Sequence, residues 1–447
     1  MSPNGDKEMT MRMRRLLIPL FAFALVAAAC GDDDDAGGDG GDGGDSRDTG
    51  RVVLMTAMEP EEVDAVQKVL DDLINSEVDY TAEVEAAGNF EEQLQIRAEG
   101  GTLDLAAVPQ PGAVRQLAAD GSIVALEDLG FDIDELEELF GEYFLSLGEY
   151  EGKHYGMPTN INLKSMVWYP KDDFDAAGYE VPETWDELIA LSDQIVADGS
   201  SPWCVGFESE GATGWPATDW MEDLVLRTAG VEVYDQWVNH EIPFDDPAIK
   251  KAAEYFGEIL FTDGYVLGGA AASADLAFGD APGPMFQDPP GCWLHRQASF
   301  INAFFGNFAE GLEAGVDYDW FPLPPIDKDG TLFAGEFTVV GSDRPEVKDF
   351  LERFIDEAVQ CAMGADEASS RISPNINVGP DCYANDILAD ASVVLTDALE
   401  NDTGRFDASD MMPPEVNSQF WTGMIEYVRG GPSVLDKVLA DIEAAWN

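Results

Sequence analysis

Short apolar runs alternate with amphipathic segments along most of the chain. Arg51-Val52-Val53-Leu54-Met55 reads as a short buried strand. A helix starts near Pro60 and Glu61, with Val63, Val66, Leu70 and Leu73 at helical spacing. Tyr80 to Val84 is a second strand and Leu103 to Val108 a third. Between them, Asn89-Phe90-Glu91-Glu92 offers a cap and a Glu three residues on, and Gly100-Gly101 ends that helix. Pro109-Gln110-Pro111-Gly112 turns into another helix, ended at Gly121. This alternation predicts an α/β lobe with a largely parallel sheet.

The pattern continues with a long extended stretch from Tyr155 to Tyr169. Thr184 and Glu187 form a capping box for a helix to about Ala197. Trp203 to Phe207 reads as a strand. Residues 211–220, GATGWPATDW, read as a loop feeding a helix from about Trp220 to Ala229. Asp246-Pro247 opens a further helix with Pro at its first position. Residues 283–294 are extended, 343–359 helical, and 432–446 a last helix. No internal repeat is seen.

The N-terminal residues have another texture. Arg12, Arg14 and Arg15 precede an apolar run, Leu16 to Ala29, that ends in Ala27-Ala28-Ala29. This is the layout of a secretory signal (residues 1–29), and the run falls short of the roughly 20 residues that span a bilayer. Met11 or Met13 is a candidate start. Cys30 resembles the lipidated cysteine of a bacterial lipobox, with Ala27 where Leu is usual. The plain alternative is a secreted chain cleaved near Ala29. After Cys30, the Gly- and Asp-rich residues up to 50 have almost nothing to bury and read as a flexible tether. The Asp run has no spacing that fixes a metal's coordination.

Charge adds a constraint. The net charge is −64; residues 1–29 contribute +2 and residues 31–50 contribute −7, which leaves −59 after residue 50. That argues against a nucleic-acid partner. It also predicts self-repulsion that salt screens, as a saline medium would. The length after the tether suits two domains or lobes. Cys204, Cys292, Cys361 and Cys382 are an even set in an exported chain, which points to two disulfides with three possible connectivities. No CxxC spacing and only three His argue against zinc.

From residue 51 onward the order of segments resembles the substrate-binding proteins of carbohydrate ABC importers, nearest the α-glucoside-type branch. The resemblance is carried by the signal, Cys30 and tether, and by the strand–PQPG–helix unit at 103–121. GMPTNINLKSMVWYPK at 156–171 and VPETWDEL at 181–188 extend it. PWCVGFES, GWPATDW, PPGCWLHR, SDRPEVKDFLERF and ISPN follow in order. It implies a type II periplasmic-binding-protein-like fold, with two α/β lobes joined by crossing strands and the ligand in the cleft. The implied crossings lie near 158–168, 284–294 and 340–345. The first lobe would be 51–160 plus 288–340, and the second 161–287 plus 341–447. That alignment sets Cys204 beside Cys292 on neighbouring strands near the hinge; Cys361 and Cys382 would then close a short local loop. It further implies a monomeric binding protein without cofactor or metal, held at the outer face of the cytoplasmic membrane by its lipid alone. Its partners would be a neutral oligosaccharide and ABC permease subunits.

A sugar presents apolar C–H faces to aromatic rings and hydroxyls to directional donors and acceptors. GWPATDW combines both: Trp215 as a stacking platform, with Thr218 and Asp219 at a helix start. Trp220 is a weaker aromatic candidate, better suited to the core. PPGCWLHR supplies Trp293 and Arg296 where the chain is expected to cross, although Arg296 could pair with surface carboxylates instead. Asn160 and Asn162 lie in the first crossing segment. Gln110 sits at the C-terminal edge of a strand, where open α/β sheets bind ligands. Glu336 and Asn375 complete the set, and Asn89 is either a ligand contact or only a helix cap.

Two other functions compete. A secreted glycosidase would need a carboxylate pair, but with 88 Asp and Glu such pairs arise by chance. No GxSxG, HExxH or P-loop is present. The same fold could also take a peptide, polyamine or phosphate ester. The acidity suits a cation, whereas the aromatic and amide groups suit a neutral sugar better.

Overall fold

In chain order the strands are β1 (Arg51–Thr56), β2 (Thr81–Ala86), β3 (Leu105–Val108), β4 (Glu149–Tyr150), β5 (Lys153–His154) and β6 (Gly156–Leu163). They continue with β7 (Met166–Tyr169), β8 (Ser201–Trp203), β9 (Cys292–Arg296), β10 (Asp319–Pro322), β11 (Thr331–Val340) and β12 (Gly404–Phe406). The computed structural model describes residues 50–58, 60–366 and 370–446. The signal segment, Cys30 and nearly all of the tether lie outside the described residues.

The strands form two main sheets. In the first, the order is β12-β11-β3-β1-β2, with β6 also paired to β11. β1 runs parallel to β2 and β3, while β11 is antiparallel to β3 and β6. Val52, Leu54 and all of β3 are buried, as strands covered on both faces must be. Helices Pro60–Leu70, Phe90–Glu99 and Pro111–Ala119 contribute Val66, Leu70, Leu94 and Val114 to that core. Later helices join it too, through Val347, Phe350, Phe354, Leu388 and Leu395.

The second sheet has the order β10-β7-β9-β8. A core of Tyr169, Phe174, Trp185, Trp203, Trp220 and Phe256 packs with the C-terminal helices through Phe420, Met424 and Leu435. Trp168, Phe286, Phe305 and Tyr318 form an aromatic layer continuous with the first core. The chain crosses between sheets at Lys164-Ser165, in residues 323–330, and at Asp407, which separates Phe406 of one core from Ala408 of the other.

The first crossing falls where the sequence predicts it; the other two do not. Segment 288–340 is not all in the first lobe, because β9 and β10 pair with β7 in the second sheet. Segment 341–447 is not all in the second, because the helices between 345 and 400 cover the first core. An amphipathic helix has the same period whichever sheet it covers, so periodicity could not assign it. Both disulfides form with the expected pairing, Cys204–Cys292 beside the β8–β9 pair and Cys361–Cys382 locally.

Locally, the Thr184 capping box and the helix opening with Pro247 are present as predicted, and Asp246 caps that helix by accepting from the Ala248 N–H. The helix expected at Trp220 instead begins at Trp215, after Gly214 at φ 117°. A Cβ on Gly214 would collide with the Trp421 carbonyl, so this close approach needs glycine. The stretch 155–169 breaks at Lys164, and 343–359 is two helices because Asp356 caps a second one. Strand β8 ends at Trp203, and Gly283–Phe286 is a 3-10 turn. No described helix is long and apolar enough to cross a membrane.

Candidate functional site: a cleft between the two sheets

A cavity of about 640 Å3 opens at the C-terminal ends of β1 and β2, the edge where open α/β sheets take ligands. One wall carries Met58, Asn89 and Glu91; the other carries Glu208 to Ala212 and Phe278. Its volume is that of a small-molecule site. The Trp215 ring stands against Phe278 at 5.0 Å and Phe300 at 6.0 Å between centroids, half-buried at the first position of its helix.

A polar group contacts two residues of the cavity wall, Met58 and Glu91. Asn160 and Asn162 share one face of β6 by alternation, and Asn160 is opposite Glu336 on β11. Arg371 Nη2 lies 2.8 Å from Glu336 and donates to the Thr159 carbonyl at 3.2 Å. Its Nη1 reaches Sδ of Met58, a cavity residue, at 3.7 Å. Gln110 Nε2 donates to Glu91, another cavity residue, at 3.5 Å. The side-chain oxygens of Gln110, Asn160 and Asn162 are buried without a hydrogen-bond partner. Buried polar atoms are nearly always satisfied, so these three acceptors offer what a polyhydroxylated ligand needs.

Beneath Trp215 lies a buried charge network. Lys164 Nζ is 2.8 Å from Asp219 and 2.6 Å from Asp407. Arg296 pairs with Asp219 at 3.3 Å and Asp223 at 3.0 Å, and Arg227 also pairs with Asp223. Burial pushes the Asp219 carboxyl up to about 6, against the pull of Lys164. Burial and the charge of Asp407 push Glu222 and Asp410 well above the carboxylate range. Two backbone N–H groups donate to Glu222, which pulls the other way but is outweighed. Burial also works against ionisation of Asp407, yet Lys164 holds its carboxyl below the usual range. Carboxyl oxygens of Asp219, Glu222 and Asp407 lie close enough together to hold a metal ion. The Lys164 ammonium already supplies the positive charge between Asp219 and Asp407, so this cluster reads as an ion-pair centre.

The other sequence candidates separate from the cleft. Trp220 is 2% exposed and stacks on Phe256 in the core. Trp293 is also core, with its N–H on Ser200 and its ring against Tyr179. Both rings follow the buried faces of their elements, which corrects the expectation for Trp293. Arg296 binds buried carboxylates, not surface ones. Thr218 is buried, donates to the Trp215 carbonyl and meets Ser409. Asn375 is occupied structurally, donating to the Ile355 carbonyl and accepting from Asn377 N–H. Asn89 lines the cavity but makes no capping bond, because its backbone is left-handed at φ 51°.

Sequence reasoning missed Lys164, Arg371, Asp407 and Asp410. A signal existed for Lys164: it is the cation inside the apolar run NINLKSMVWY, where it must find partners. It also missed Asn417 and Trp421, one turn apart on the helix Pro414–Gly430. Each has a buried polar atom left open.

Comparison with known proteins fits this architecture. The family model of the bacterial extracellular solute-binding proteins matches residues 59–360. The alpha-glucosides-binding periplasmic protein AglE of Rhizobium meliloti is 41% identical over 371 residues, 80% of this chain and 79% of that protein. The osmoprotective compounds-binding protein GgtB of Synechocystis is 37% identical over 413 residues, 89% of this chain and 93% of its own. Among solved structures, the solute receptor AcbH, with its exclusive preference for β-D-galactopyranose, superposes with a TM-score of 0.74 at 18% identity. That match covers 89% of this chain and 98% of AcbH. RafE in complex with raffinose gives 0.70 at 19%, with 89% and 98% covered. At such identities the structures establish the two-lobe type II fold, and the sequence matches establish kinship: this chain belongs to the bacterial extracellular solute-binding proteins.

Proposed function

We propose that this protein is the receptor of a carbohydrate ABC importer and captures an α-glucoside in the cleft between its lobes. The observation that carries this is the cavity beside three open buried amide oxygens and the Trp215 ring. Kinship with AglE, itself an alpha-glucosides-binding protein, supports the choice of sugar. Trp215 would stack on a C–H face; Gln110, Asn160, Asn162 and Glu336 would take hydroxyls. Closure would be driven by contacts completed only when both lobes meet the ligand, and the closed form would be offered to the permease. The sugar is released unaltered, so the protein acts as a binding module and not as a glycosidase. Cys30 would carry the lipid, and the tether to residue 50 would keep the receptor at high effective concentration near its permease.

A thermal-shift screen across mono- and disaccharides tests this reading. A glucoside should raise the melting temperature; a shift with another solute class and none with any glucoside would overturn it. A second reading is favoured by GgtB, an osmoprotective compounds-binding protein that aligns over 93% of its length, together with the acidity of this chain. Compatible solutes therefore belong in the same screen.

A further inference from the structure

Lys164 lies in the two-residue break between β6 of the first sheet and β7 of the second, with its side chain buried. Its ammonium reaches three ways. Asp219, 2.8 Å away, belongs to the helix Trp215–Ala229. Asp407, 2.6 Å away, is the crossing from β12 into the second core. The Trp215 ring centroid lies 5.1 Å away, under the cation. Trp215 and Asp219 are four residues apart, on one face of the same helix. The adjacent Ser165 repeats the arrangement: it donates to Asp223 on that helix and accepts from the Leu332 N–H of β11.

We propose that Lys164 is a positioning residue for ligand binding: one ammonium sets two of the crossings and the orientation of the Trp215 ring together. This rests on the reading that Trp215 stacks on the ligand. A buried ion pair is weak evidence for stability, since an apolar side chain of similar volume often serves as well. The more specific property of this one is what it joins, namely the segments 163–166 and 406–408 and the aromatic platform. The cation lies over the Trp215 ring, and Phe278 and Phe300 pack against the same ring. The crossing segments and the Trp215 ring are thus joined through one ammonium.

The test uses the purified protein in three forms: Lys164→Arg, Lys164→Met, and the triple variant K164M/D219N/D407N, which avoids stranding two buried carboxylates if K164M does not fold. Two readouts separate the proposal from the sugar reading. The first needs no ligand: the protein is labelled with 5-fluorotryptophan, and the Trp215 fluorine signal is assigned with W215F. That signal should shift and broaden in a folded variant lacking the ammonium, while the Trp203 and Trp237 signals hold. An unmoved Trp215 signal in such a variant overturns the proposal whatever the protein binds. The second is titration with maltose, trehalose and sucrose. Affinity for whichever binds the unaltered protein should fall about ten-fold or more without the ammonium and be largely kept in K164R. Unchanged affinity in a folded variant also overturns it. If none of the three sugars binds the unaltered protein while another solute class does, the sugar reading fails on its own, and the fluorine signal still decides the role of Lys164.

Discussion

Arg371 Nη2 lies 2.8 Å from Glu336 Oε2, although the arginine stands in the segment closed by Cys361–Cys382 and the glutamate in the middle of β11. The pair faces Asn160 on β6 and, through Met58, the cavity. Glu336→Ala leaves a buried guanidinium unpaired. It should therefore lower unfolding stability by about 3 kcal/mol in urea titration and weaken ligand binding as well. A variant of unchanged midpoint would show that Thr159 alone satisfies Arg371.

The two tryptophans of GWPATDW should behave oppositely. Trp215→Ala removes a half-buried ring that we propose stacks on the ligand, so affinity should drop about ten- to a hundred-fold with a small change in melting temperature. Trp220→Ala opens a hole in a packed core and should cost about 3–5 kcal/mol of stability. Parallel calorimetric titration and urea unfolding of both variants separate these outcomes; equal loss of stability would remove Trp215 from the site.

The parts legible in the sequence were those set by neighbours in the chain. Thr184 and Glu187 cap their helix from three residues apart, and Val52 to Met55 announce a buried strand. The α/β pattern followed from such local signals and from the family resemblance. What was not legible depends on distant partners. Lys164 finds Asp219 and Asp407 at sequence separations of 55 and 243. Asn89 has the chemistry of a cap but not the backbone, since φ 51° turns its side chain away from that role. Trp215 and Trp220 sit five residues apart in one motif, and only the rotation of the helix leaves one half-buried and sends the other into the core.

Stability should rise as the medium becomes mildly acidic. Asp219, raised to about 6, and Glu222 and Asp410, raised well above the ordinary carboxylate range by burial, bind protons more tightly folded than unfolded. Their contribution is therefore fully present below the ordinary carboxylate range and is lost as pH climbs through their folded values. His295 works in the other direction: burial lowers it to about 4, so it costs stability as pH falls from 6.5 toward 4. Three carboxyls outweigh one imidazole, and the melting temperature should be higher at pH 5.5 than at pH 8. Asp219→Asn should remove part of that rise. A melting temperature that falls from pH 8 to 5.5 would contradict this assignment of protons.

With −59 carried after residue 50, self-repulsion should weaken the compact state at low ionic strength. Screening shortens from about 10 Å at 0.1 M salt to about 3 Å at 1 M, so melting temperature should climb across that range. A flat response would remove the case for a saline working medium.

Capture of an α-glucoside is tested most directly by one titration. Maltose, trehalose and sucrose are titrated calorimetrically into the purified protein, and each sugar is analysed by chromatography afterwards. Saturable binding of at least one α-glucoside at one site per chain, lost in Trp215→Ala and with the sugar recovered intact, is the predicted result. Absence of binding to all three while another solute class binds, or recovery of the sugar cleaved, would contradict it.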